Sequence, residues 1–319
     1  MAESTWEVAG SEKLTFDDPV ARLDVRVVNG AVNVVGTDEA LPDRPGGTRL
    51  EISRVEGPPL IVTLDGGTLT VAYADLPWKS LLNWLDRKGR GRSAVVSLAV
   101  PTGTEVEVGV VGAEAVVTGI RGRTAVRGVS GGTTLVGLSG EVRAETVSGD
   151  LEAQAVTGSL HYHSVSGSLT VVEGSGSTVR ADSVSGDMVV DLDPAGRPTD
   201  ISLNTVSGEV AIRLPHPTDA QVEANTASGA VTNAFDDLRV SGRWGAHKIT
   251  GTLGAGAGTL KANTVSGSIA LLRKPPSEDD GPPAGPPRAP HTSHAPQDPR
   301  DPAPAPAPAD AAPSLTKEL

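Results

Sequence analysis

A tripeptide ending in Gly recurs every nine residues through the middle of this 319-residue chain. The copies are Ile120-Arg121-Gly122, Val129-Ser130-Gly131, Leu138-Ser139-Gly140, Val147-Ser148-Gly149, Val156-Thr157-Gly158 and Val165-Ser166-Gly167. The mark then recurs at wider intervals, as Val184-Ser185-Gly186, Val206-Ser207-Gly208, Ala227-Ser228-Gly229, Ile249-Thr250-Gly251 and Val265-Ser266-Gly267. A fixed short period signals stacked copies of one supersecondary unit. Between the marks the residues alternate. Leu151 and Ala153 fall on one face and Glu152 and Gln154 on the other; Leu160 and Tyr162 oppose His161 and His163 in the next unit. Alternation at period two over about five residues reads as a half-buried strand.

One such strand cannot bury its own apolar face, but two make an eighteen-residue coil with two strands and two corners. Stacked coils then align Leu on Leu and Val on Val along an inner seam, about 4.8 Å per step. The Ser-Gly pair supplies the corner, through glycine's access to positive φ and a hydroxyl bond to the local backbone. Few aromatic side chains, 3% of the chain, suit a narrow interior. Beyond Gly167 the wider spacing implies one marked corner per coil, the other degraded or longer. A six-residue left-handed helix lacks its period here, and a calcium roll lacks its Gly-Gly-x-Gly-x-Asp. The expected fold is all-β, a parallel right-handed β-solenoid (β-helix) over residues 93–272. Its structural corners are Gly122, Gly131, Gly140, Gly149, Gly158, Gly167, Gly186, Gly208, Gly229 and Gly267.

Residues 1–75 form the expected irregular β cap over the solenoid's open end. Leu23 to Val27 alternates, Asn29-Gly30 signals a tight turn, and Leu60–Leu64 with Leu69–Tyr73 flank Asp65-Gly66-Gly67-Thr68 as a hairpin. Residues 76–92 break the pattern. Trp78, Leu81, Leu82 and Leu85 have the spacing of a short amphipathic helix, with Trp84 beside the stripe and Arg87, Lys88, Arg90 and Arg92 trailing it. These two Trp and four basic residues are the candidate contact surface for an anionic membrane or a partner protein, the alternative being that the apolar face packs on the solenoid with the basic residues solvated. From residue 273 the chain changes character. Pro supplies 14 of the last 45 residues, so this tail cannot bury a core and is expected to be disordered.

The net charge of −12 argues against nucleic acid as a partner. The absence of cysteine removes disulfides and thiolate chemistry. The N-terminus has neither a basic segment nor an apolar stretch of signal-peptide type, and no run of apolar residues is long enough to span a bilayer. The expected location is therefore cytoplasmic, with peripheral membrane contact through the Trp78–Arg92 segment. His161 and His163 share a strand face, and an eighteen-residue coil sets Arg143 and Glu145 beside them. Two His and one Glu are too few ligands to specify a metal site. The recurring carboxylates, including Asp150, Glu152, Asp182, Asp187 and Asp191, lack the aromatic platforms and long loops of a sugar-cleaving groove. No nucleophile elbow or phosphate loop appears. The chain is therefore read as non-enzymatic, with no cofactor and no small-molecule substrate.

Val147-Ser148-Gly149-Asp150-Leu151, Val165-Ser166-Gly167-Ser168-Leu169 and Val184-Ser185-Gly186-Asp187-Met188 carry a further reading. Over about residues 23–272 the chain resembles the bacterial putative-adhesin family, β-strand-repeat proteins of unknown function. That resemblance implies the β-repeat fold and brings no catalytic residues. It points to a non-catalytic scaffold or binding module, in envelope-related regulation by analogy. A surface adhesin and a carbohydrate-active β-helix enzyme are the alternatives.

Overall fold

The computed structural model describes residues 3–38, 47–73, 91–194, 198 and 200–275. Among these residues are 26 strands and no helix. The N-terminal strands are β1 (Ser4–Val8), β2 (Glu12–Phe16), β3 (Arg22–Val27), β4 (Asn29–Thr37), β5 (Thr48–Glu56), β6 (Leu60–Asp65) and β7 (Thr68–Tyr73). The nonapeptide region holds β8 (Ser93–Pro101), β9 (Glu105–Val110), β10 (Glu114–Thr118), β11 (Thr124–Gly128), β12 (Thr133–Val136), β13 (Val142–Thr146), β14 (Leu151–Gln154), β15 (Ser159–Ser164) and β16 (Leu169–Gly174). Then come β17 (Thr178–Asp182), β18 (Met188–Leu192), β19 (Asp200–Thr205), β20 (Val210–Leu214), β21 (Ala220–Thr226), β22 (Val231–Asn233), β23 (Leu238–Arg243), β24 (Ala246–Leu253), β25 (Gly258–Thr264) and β26 (Ile269–Arg273).

From β8 to β22 successive strands alternate between two sheets, as an eighteen-residue coil demands. The first sheet has 14 strands, ordered β1-β6-β7-β3-β9-β11-β13-β15-β17-β19-β25-β21-β24-β23. The second has 12, ordered β2-β5-β8-β4-β10-β12-β14-β16-β18-β20-β26-β22. Neighbours from β9 to β20 pair in parallel, with Val142 beside Leu160 and Leu151 beside Leu169. The inner positions predicted from alternation are buried: Leu151, Leu160 and Leu169 expose 2%, 1% and 0% of their surface. They belong to one apolar cluster running from Val8 to Leu271.

Stacking order departs from chain order at both ends. The coil β3–β4 lies between β7–β8 and β9–β10. Asn29-Gly30 is therefore a corner between sheets rather than a hairpin turn. The Asn29 side-chain amide donates to the Arg92 carbonyl at 2.9 Å there. The hairpin of β6 and β7 is present as predicted, with Gly66 and Gly67 both at positive φ. At the other end β25 sits between β19 and β21, and β26 pairs with both β20 and β22. The last coil in sequence is thus the penultimate coil in space. Ile249-Thr250-Gly251 is not a corner at all; it lies in β24, antiparallel to β21.

The glycine columns have a different cause from the one expected. Among the corner glycines only Gly131 has a left-handed φ. At Gly149, Gly167, Gly186, Gly208, Gly267 and Gly229, a Cβ would overlap the carbonyl oxygen of the corner glycine one coil below. Gly140, Gly158 and Gly176 make the second column in the same way, starting from Gly122. Close stacking of backbone on backbone, rather than φ, excludes a side chain.

The end of the final strand is pinned by charge. Asp191, 5% exposed, pairs with Arg213; Lys274 pairs with Asp193 and lies 3.4 Å from Asp191 Oδ1, an electrostatic contact. Burial alone would raise the Asp191 carboxyl, but the Arg213 hydrogen bond and the two neighbouring cations hold it below its ordinary value. A group depressed in the folded state contributes stability above its unfolded pKa and loses it as pH falls. Asp191→Asn is expected to cost about 2 kcal/mol at neutral pH, the scale of a hydrogen bond to a charged group. The gap to wild type should close as pH falls below about 4, where the unfolded carboxyl is protonated. Urea titrations across that range measure it, and a gap independent of pH would contradict the assignment.

Candidate interaction surface

The corner from the first sheet to the second is built by four residues rather than three. The hydroxyls of Thr146 and Ser164 accept the N–H of Gly149 and Gly167, at 2.9 and 2.7 Å, closing the turn locally. The Ser of each Val-Ser-Gly instead reaches one coil down. Ser148 donates its N–H to the Val129 carbonyl at 2.9 Å and its hydroxyl to the same oxygen at 3.1 Å. Ser130 and Ser166 repeat this on Val111 and Val147. The following Asp is also structural. Asp150 accepts the Ser168 N–H at 2.9 Å, and Asp187 accepts that of Glu209 at 2.8 Å.

The triplets line up in rows at the corners, and at this corner these bonds leave the Val facing outward. Val147, Val165, Val184, Val206 and Val265 are 46–53% exposed and occupy consecutive rungs of one corner. At the opposite corner the leading residues Ile120, Leu138 and Val156 are buried. Isolated exposed valines are ordinary on a protein surface. An in-register row, spaced by the inter-strand distance of about 4.8 Å, is a continuous apolar stripe.

The outer face of the 14-stranded sheet carries polar ladders. Arg143 and Glu145 do lie in register with His161 and His163, and Arg180 and Asp182 follow them. Arg127 pairs with Glu107 and, at 3.4 Å, with Glu145. His163 Nδ1 is 3.5 Å from Asp182, which accepts the Asn204 amide at 2.8 Å. Asn263 then donates to Asn204 and Asn225 to Asn263, at 2.9 and 3.0 Å. Among the described residues no three His, Asp or Glu side chains converge as metal ligands. Arg143 buries its Nε without a hydrogen-bond partner.

Of the predicted contact segment, Trp78, Trp84, Arg87, Lys88 and Arg90 lie outside the described residues, as does the tail beyond residue 275. Arg92 is placed: its guanidinium stands 5.7 Å from the centre of the Tyr73 ring, a cation–π contact. Among the described residues no helix is long and apolar enough to cross a membrane. An exposed aromatic that sequence reasoning passed over is Trp244. It is 96% exposed at the tip of the β23–β24 hairpin, with φ of 57° and Gly245 beside it at positive φ. The Trp-Gly pair between two alternating runs was the available signal, since such turns need positive φ at both central residues.

Residues 163–272 match the family model Toastrack DUF4097. The match begins within β15, although the same coils continue back to β3 in unbroken register. No curated protein matches the chain. A solved structure, described as a putative cell adhesion protein from Clostridium sporogenes ATCC 15579, aligns over 83% of this chain and 100% of its own. The identity is 12% and the TM-score 0.26.

Proposed function

We propose that the chain is a non-catalytic β-repeat scaffold that binds a protein partner along its exposed valine row. The carrying observation is that row of five half-exposed valines on consecutive rungs. A partner strand or helix laid along it would bury a continuous apolar edge, the core of most protein interfaces. The acidic residues support a structural rather than catalytic use. Glu145, Asp150, Asp182 and Asp187 each engage a neighbouring rung. The match to a β-repeat family of unknown function agrees with a scaffold and adds no chemistry.

The test compares wild type with Val165→Lys, Val184→Lys, Val206→Lys combined in one chain. Surface changes of this kind usually alter stability by less than about 0.5 kcal/mol each. Affinity capture followed by mass spectrometry should then recover a stoichiometric protein from wild type and lose it from the triple variant. Recovery of the same partner by both chains would reject the valine row. Turnover of a polysaccharide by purified protein would reject the non-catalytic reading. Protease sensitivity on intact cells would favour a surface adhesin instead.

A further inference from the structure

We propose that successive copies of this chain join head to tail, β23 of one copy pairing in parallel with β1 of the next. Among the described residues the two strands are the outermost members of the same 14-stranded sheet, each paired on one side only. They run in the same direction. β7 is parallel to β3 and leads through the antiparallel β6 to β1, while β21 leads through the antiparallel β24 to β23. A copy translated along the solenoid axis therefore presents β1 parallel to β23, continuing the stack already present inside each molecule.

The side chains along the two edges are complementary in sign and spacing. Val8 and Trp6 face inward, beside Leu60 and Val62, so Glu3, Thr5 and Glu7 point outward, and all three are exposed. On β23, Val240 lies beside the buried Ile249, so Arg239, Ser241 and Arg243 point outward, also exposed. Glu-x-Thr-x-Glu thus meets Arg-x-Ser-x-Arg: Glu3 with Arg239, Thr5 with Ser241, Glu7 with Arg243. Among the described residues none of these four charged groups has an ion pair within its own molecule. The inner faces agree as well. Trp6 comes opposite Gly242, with Val240, 51% exposed, as its diagonal neighbour. Opposite charges set directly across neighbouring strands stabilise pairing, whereas like charges oppose it.

The other sheet is blunted where β23 overhangs. β22 has only three residues, and the Asn233 amide turns back to the Phe235 and Leu238 carbonyls at 2.8 and 3.3 Å. One sheet therefore stays open at that end. Unpaired edges template addition of another strand, and a heterologous head-to-tail contact propagates into open chains unless its rotation closes a ring.

Charge exchange tests this on the full-length protein. Wild type should gain mass with concentration in sedimentation velocity, whereas Arg239→Glu with Arg243→Glu, and Glu3→Arg with Glu7→Arg, should each stay monomeric. Combining all four substitutions in one chain should restore assembly, as should mixing the two double variants. Equal thermal unfolding midpoints separate loss of assembly from loss of fold. The chain has no cysteine, so Thr5→Cys and Ser241→Cys provide a second readout. Mixed and oxidised, the two variants should form a disulfide-linked heterodimer, because register neighbours lie within disulfide reach. A wild type that stays monomeric, assembly that survives either double variant, or a fourfold exchange that fails to restore it would each overturn the proposal.

Discussion

Gly158→Ala is expected to destabilise the protein by about 3 kcal/mol, at the upper end of the overpacking range. The reason lies in the coil below. A methyl at this position would overlap the Gly140 carbonyl oxygen and come within 2.7 Å of both the Gly140 carbonyl carbon and the Ser139 oxygen. All three are backbone atoms, so no rotamer change relieves the contact. The coil must rise, which stretches the bond from Thr157 N–H to Leu138 O in the coil below, now 2.9 Å. Gly176 stacks on Gly158 from above, so the strain passes to the next coil. Gly132→Ala is the control, because a Cβ there meets nothing within 4 Å and its φ is not left-handed. Loss of unfolded-state entropy should make that change neutral or stabilising by up to about 1 kcal/mol. Urea denaturation of the two variants decides the matter. If both fall within about 1 kcal/mol of wild type, close backbone stacking is not what selects glycine at the corners.

Much of this architecture can be read from spacing. The nine-residue interval and the alternation after each Gly place Leu151, Leu160 and Leu169 inside and set Glu145 beside His163, because strand period and coil length are local properties. The triplets carry less information about their own surroundings. Val156 is buried and Val165 half exposed, yet they occupy the same place in near-identical tripeptides. The difference lies in how the two corners are entered: Gly119, Gly137 and Ala155, just before the buried residues, have positive φ, whereas the residues before the exposed valines do not. Asp150 and Asp187 likewise look like free carboxylates until the coil above supplies their backbone donors. The valine row was hidden for the same reason, and Trp244 because its turn sits in an insertion outside the repeat. The order of coils in space is the least legible feature. Gly208, Gly229 and Gly267 have similar flanks, and nothing near them says that Gly267 stacks between the other two.

That inserted coil makes the second large prediction. Leu260→Ala is expected to cost about 3 kcal/mol and to release residues 220–273 together. Leu260, Ala262 and Leu271 are fully buried, and Ile269 nearly so. Their strands bond to β19 and β20 on one side and to β21 and β22 on the other. In a stack where each coil touches only its neighbours, an outer coil holds through the coil beneath it. Here, among the described residues, the outer pair β21–β22, with the β23–β24 hairpin on it, bonds to the rest of the ladder only through β25 and β26. A weakened β25 must therefore take the outer coil with it when it opens, although residues 220–253 precede it in the chain. Native-state hydrogen exchange can see this as one cooperative unit of lowered opening energy. Amides of Val222, Ala224 and Ile249 should lose protection alongside Ala262 and Leu271, while those of β11 to β16 keep theirs. If 258–273 opened while Val222 and Ala224 stayed protected, the outer coil would have support of its own. The penultimate position of the last coil would then have no energetic consequence.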